Sequence, residues 1–119
     1  MTEQSYIIDK HCGTDNITVV IRGDFTAYGS ATCSRIKDNI WYFNRLFVYP
    51  LHRGNSYGRI LLEELLSLIK EKDAILELDI NPYGQMTYEQ LEKFYMNHGF
   101  IKVTQKGPLG EYPKYYYNK

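Results

Sequence analysis

Leu46-Phe47-Val48-Tyr49-Pro50-Leu51-His52-Arg53-Gly54-Asn55-Ser56-Tyr57-Gly58-Arg59-Ile60-Leu61-Leu62-Glu63-Glu64-Leu65-Leu66 reads as a strand, a glycine-bearing turn and an amphipathic helix. Leu46, Phe47 and Val48 form a buried-strand run. Pro50 has no N–H to give a ladder, so the strand stops there. The turn Arg53-Gly54-Asn55-Ser56-Tyr57-Gly58 aims several backbone N–H groups at one spot. The helix behind it adds the positive end of its dipole, which makes an anion site and most usefully a phosphate site. Arg53 and Arg59 add charge beside it. The same residues also describe an ordinary strand-to-helix corner whose glycines only permit tight backbone angles, and the turn alone leaves both readings open.

Downstream, Ile60, Leu61, Leu62, Leu65, Leu66, Leu68 and Ile69 give the helix, expected from about Ser56 to Glu71, a wide apolar face. Ala74–Ile80 reads as a fifth strand. A strand, a helix and a strand in this order predict a right-handed parallel crossover. The anion turn then lies at the carboxyl end of strand four, where ligands of α/β sheets bind. Asn81–Gln85 is a loop. Thr87 and Gln90 form a capping box that opens a second helix, and Gly99 stops it. Phe100–Lys106 is a sixth strand, and Pro113–Tyr117 a short last one, rich in tyrosine and placed at an edge.

Upstream, Ser5–Cys12, Ile17–Arg22, Phe25–Ile36 and Ile40–Tyr49 read as an antiparallel meander. Gly13-Thr14-Asp15-Asn16 is a hairpin turn, and Gly29 a candidate bulge. The chain of 119 residues is read as one domain. Its 14 basic and 14 acidic residues balance, which argues against an overall field recruiting nucleic acid or membrane. No apolar run reaches the ~18 residues of a membrane span, and the first residues lack the regions of a signal peptide. A cytoplasmic location is expected, with Cys12 and Cys33 as reduced thiols. The twelve tyrosines are assigned to strand packing and edge contacts.

The element order, the turn after strand four and Phe94-Tyr95-Met96-Asn97-His98-Gly99-Phe100 together resemble the GNAT (N-acetyltransferase) superfamily. That family carries Arg/Gln-x-x-Gly-x-Gly/Ala after its fourth strand, and a Tyr followed by three residues and Gly-Phe in its last helix. Arg53 and Gly58 match the first pattern, with Ser56 where a Gly is usual. Ser56 is expected to keep the helix-entry geometry and to cap the helix. Tyr95 to Gly99-Phe100 matches the second pattern fully. The resemblance implies an α+β fold with a mixed sheet: an antiparallel four-strand meander, then helix, parallel strand, helix and two terminal strands. One departure is large. The helices that usually separate the first two strands, and wall in the acceptor, are reduced to a turn. An open acceptor side fits a macromolecular amine, or a homodimer whose second subunit supplies the wall.

The resemblance implies acetyl-coenzyme A as co-substrate, with no metal. Its pyrophosphate would lie on the turn Arg53, Gly54, Asn55, Ser56, Tyr57 and Gly58, beside Arg59. The pantetheine arm would run along Phe47 and Val48, and Asn81 and Tyr88 would touch the coenzyme. The amine attacks the thioester directly, so no enzyme nucleophile is needed and neither cysteine is given a catalytic role. Tyr95 occupies the position of the general acid on the departing thiolate; packed on a helix face, it also reads as a core aromatic. For the base, Glu77 and Asp79 share one face of strand five, with Asp79 nearer the carboxyl end. Glu111 is a further carboxylate within reach, His52 falls on the phosphate side, and strand four offers only Asn44. Two alternatives stand beside this reading. One is a catalytically weak or inactive GNAT-like binding or inhibitory module. The other is a nucleic-acid-modifying enzyme whose basic strip would be Arg22, Arg35, Lys37 and the tyrosine-rich tail.

Overall fold

The structure, a computed structural model, describes residues 5–82 and 86–119. Residues 83–85 of the predicted Asn81–Gln85 loop therefore lie outside the described residues. Seven strands form one sheet: β1 (Ile7–Cys12), β2 (Asn16–Arg22), β3 (Ala27–Lys37), β4 (Ile40–Val48), β5 (Ile75–Leu78), β6 (Ile101–Gly107) and β7 (Gly110–Tyr117). The spatial order is β1-β2-β3-β4-β5-β7-β6. Helix α1 (Tyr57–Glu71) connects β4 to β5, and α2 (Tyr88–Asn97) connects β5 to β6. The meander pairs antiparallel throughout, and β4 and β5 pair in parallel, as the crossover requires.

Period-two patterning decides which face is buried. Ile17, Val19, Ile21, Ala31, Cys33, Trp41, Phe43, Leu76 and Leu78 point to one face, where α1 lays Leu61, Leu62, Leu65, Leu66 and Ile69 over them. Each such aliphatic side chain contributes about 1.5–3 kcal/mol on burial. Helix α2 joins the same layer through Tyr95, whose ring meets Phe43 edge-on at 5.9 Å. Its start is the predicted capping box, with Gln90 N–H donating to Thr87 Oγ1 and Thr87 N–H to Gln90 Oε1. The opposite face carries no helix among the described residues, because β1 turns directly into β2 through a hairpin. Burial pushes the Cys33 thiol up to about 12, so it is a protonated core group, and both cysteines are unbonded.

Two expectations are corrected. The last strand is longer than predicted and is not at an edge. It is inserted between β5 and β6, pairing Tyr115 with Leu78 on one side and Lys102 on the other. Pro113 is tolerated because it pairs with β6 alone, beyond the reach of β5. Tyr115 is fully buried, and its hydroxyl donates to the Glu92 carboxylate and shares a 2.7 Å hydrogen bond with Tyr88. The bulge expected at Gly29 falls one residue earlier, at Tyr28.

A second bulge matters more. Thr32 pairs with Arg45 and Cys33 with Phe43, which leaves Asn44 as the extra residue of β4. A bulge reverses the alternation. Trp41 and Phe43 face the helices before it, and Leu46 and Val48 do so after it. Arg45 and Phe47 thereby turn to the open face, which Tyr42 already occupies.

Candidate active site

Strands β4 and β5 part company early. Their last pair is Tyr42 with Glu77, yet β4 continues six residues further, to Val48. The strand predicted to reach Ile80 ends at Leu78, so Asp79 and Ile80 leave the ladder as the gap opens. The gap is a cleft of about 580 Å³, bounded by β4, the end of β5, the start of α1 and the inner side of α2.

The turn after β4 forms one end of this cleft. Pro50–His52 makes a single 3₁₀ turn. Gly54 then takes φ +86°, a conformation natural to glycine. Ser56 precedes the helix with φ 63° and ψ 18°, and its side chain caps nothing. The expectation that Ser56 would cap is therefore corrected. Its left-handed backbone turns its hydroxyl away from the helix N–H groups, whereas a capping residue is extended. The first intrahelical bond is Ile60 N–H to Ser56 C=O at 3.1 Å, so the N–H groups of Tyr57, Gly58 and Arg59 have no intrahelical partner. A left-handed non-glycine residue costs about 1–2 kcal/mol. Ser56→Gly is accordingly expected to raise stability by about 1 kcal/mol in urea unfolding; an unchanged or lower midpoint would contradict the strain.

Rings brace the turn from below. Tyr28 stacks on Tyr57 at 5.1 Å and 12°, and His52 rests on the same Tyr28 ring at 4.3 Å. Burial raises the pKa of the Tyr57 phenol. Arg53 does two things at once. Its Nε donates to Val48 C=O at 2.9 Å, on the edge of β4 that β5 has abandoned, and its guanidinium lies 5.8 Å from the Phe47 ring centre.

The cleft brings together Phe47, Val48, Arg53, Gly54, Ser56, Tyr57, Gly58, Arg59, Asp79, Asn81 and Tyr95. Other candidates lie elsewhere. Asn55 donates to His52 C=O from behind the turn, and Tyr88 gives its hydroxyl to Tyr115. Glu111 sits near the tip of the β6–β7 hairpin, opposite Lys106. Tyr95 packs its ring against Phe43, Phe94 and Phe100, as a core aromatic does, and it also lines the cleft.

The two carboxylates of β5 are separated by Lys114 of β7. Its Nζ lies 2.5 Å from Glu77 Oε1 and 3.4 Å from Asp79 Oδ2, and the Glu77 hydrogen bond chiefly holds the ammonium charged. Glu77 faces away from the cleft, whereas Asp79 lines it and accepts the Tyr42 hydroxyl at 3.0 Å. Burial, then this hydrogen bond, raises the Tyr42 pKa. Tyr42, Arg45 and Lys114 escaped sequence reading. Lys114 is brought in by the inserted strand. The bulge had a visible trace, since the apolar alternation Trp41/Phe43 resumes out of phase at Leu46/Val48. Of the proposed basic strip, Arg22 pairs with Asp9 and Arg35 with Asp15.

Comparison with known proteins agrees with this geometry. The fold is shared with a Thermoplasma acidophilum PaiA N-acetyltransferase solved with coenzyme A (21% identity, TM-score 0.63, 87% of this chain and 60% of that one). It is shared with the Escherichia coli ribosomal-protein-S18-alanine N-acetyltransferase (15%, 0.66, 88% and 68%). A Klebsiella pneumoniae protein described as a candidate acyl-CoA N-acyltransferase is similar over 94% of this chain and 96% of its own, at 17% identity and TM-score 0.69. No curated protein sequence matches. Residues 14–102 match the acetyltransferase (GNAT) domain family, a span from the first hairpin through α2 into β6. The chain belongs to the GNAT acetyltransferase family.

Proposed function

We propose that the protein is an acyl-coenzyme A-dependent N-acyltransferase that moves an acetyl group from acetyl-coenzyme A to an amine by direct attack. One observation carries this reading: the edge of β4 that β5 leaves beyond Tyr42 leads, past the Val48 carbonyl that Arg53 engages, to the N–H groups at the start of α1 that have no intrahelical partner. An extended arm with an amide backbone finds strand-like partners along that edge, and its diphosphate finds N–H donors at the helix end. Gly58 supports the same reading. A Cβ there would meet only Val48 Cγ2, at 3.9 Å, so the protein's own packing does not demand glycine.

Holding thioester and amine together supplies several kcal/mol of the barrier. The acceptor ammonium first gives a proton to Asp79, directly or through water; the free amine then forms the C–N bond as the C–S bond breaks, the thiolate takes a proton from the Tyr95 hydroxyl, and the second proton lost by the nitrogen restores that hydroxyl. Glu77 holds Lys114, which leaves Asp79 as the carboxylate facing the acceptor. The acceptor enters from the open face, where a protein chain or a small amine has room.

Calorimetric titration with acetyl-coenzyme A tests the reading. Binding is expected at or below millimolar concentration, weakened at least about tenfold by Arg53→Glu; no binding, or none lost in the variant, would refute it. The Lys114 clamp favours a second reading, a GNAT fold kept as a binding module. Coenzyme A binding without thiol release from any amine would select it.

A further inference from the structure

We infer that the acceptor is an amine that also carries an anionic group, its ammonium met by Asp79 and its anion by Arg45. The inference rests on the acyltransferase reading and names its substrate class. The open face of β4 presents Tyr42, Arg45 and Phe47 in a row along the cleft, with Asp79 across the gap. Glu77 and Asp79 share the single ammonium of Lys114, so this end keeps a net negative charge. Both contacts to Asp79, from Tyr42 and Lys114, fall on Oδ2, and Oδ1 has no hydrogen bond to a described residue. That oxygen is the one left for an incoming ammonium.

Arg45 is the opposite pole. Its guanidinium carbon stands 4.5 Å from the Phe47 ring centre, and no carboxylate among the described residues pairs with it. Lys10, Arg22, Arg35, Arg59, Lys102 and Lys114 all have such a partner. Stacking on an aromatic ring holds the planar fork in place, ready for a bidentate anion. A carboxylate or phosphate on the acceptor supplies that anion. A plain alkylamine leaves Arg45 without one, and a polyamine brings positive charge toward both Arg45 and Arg53, which discriminates against it.

The test is a protein-observed NMR titration in the presence of coenzyme A, which cannot react. The probes are γ-aminobutyrate, O-phosphoethanolamine and a short glutamate-rich peptide with a free N-terminus, against butylamine and putrescine. The anion-bearing amines are expected to bind at least about tenfold more tightly than the other two. Arg45→Gln should remove that preference, Arg45→Lys should keep part of it, and coenzyme A affinity should stay within about twofold in both. Tighter binding by the peptide than by the small amines would place the anion on a macromolecular acceptor. Equal binding of butylamine or putrescine overturns the inference. So does a tenfold loss of coenzyme A affinity in Arg45→Gln, which would assign Arg45 to the phosphates of the coenzyme. If coenzyme A itself does not bind, the acyltransferase reading fails, and the same titrations without it still decide whether Arg45 and Asp79 select such amines.

Discussion

Gly58→Ala is expected to fold at least as stably as the parent and to bind acetyl-coenzyme A at least about tenfold more weakly, with Gly58→Leu weaker by roughly 100-fold. The two halves of this expectation have separate causes. Within α1, alanine is favoured over glycine by about 1 kcal/mol, and the added methyl meets only Val48 at an ordinary 3.9 Å. Outside the helix, the same methyl projects beside N–H groups that have no intrahelical partner, where a diphosphate must come close. Thermal melting and calorimetric titration of the same samples read both. A variant that is more stable and binds as tightly as the parent would show that Gly58 is only a helix-start residue, and the coenzyme would have to lie elsewhere.

Tyr95→Phe is expected to lower kcat by about 10- to 100-fold with little change in the KM for acetyl-coenzyme A. The ring contacts with Phe43, Phe94 and Phe100 do not involve the hydroxyl, so phenylalanine keeps them. Loss of the proton donor acts on the departing thiolate. Thiolates leave moderately well unaided, which is why the expected loss is limited. Steady-state thiol release with the preferred amine measures it. A kcat within about twofold of the parent would reduce Tyr95 to a packing residue.

The turn at one end of the cleft was legible in the residues because its determinants are local. Pro50 ends a strand, Gly54 turns the chain, and the leucines that follow at helical spacing place a helix N-terminus immediately after the turn. Thr87 and Gln90 announced α2 in the same way, through four consecutive residues that satisfy their own backbone. Of the rest of the cleft only Asp79 was legible, because Tyr42, Arg45 and Lys114 are placed by pairings between residues distant in the chain. Lys114 reaches Glu77 and Asp79 because β7 is inserted beside β5, an order that neighbouring strands in sequence do not predict. The tyrosines argued for an edge, and pairing on both sides of Tyr115 overrode them.

Local patterning thus established the element order, the parallel crossover and the turn that opens α1, since capping, turn and period signals are spent within a few residues. Ser56 marks the boundary. Its identity suggested a cap, and its left-handed backbone in the folded chain made it a stand-in for glycine. Tertiary structure alone decided the rest. The extra residue at Asn44 turned Arg45 and Phe47 to the open face, because one inserted residue reverses every side chain after it. The insertion of β7 brought Lys114 against both Glu77 and Asp79, because which strand lies beside another is set by long-range packing and not by the strand's own residues.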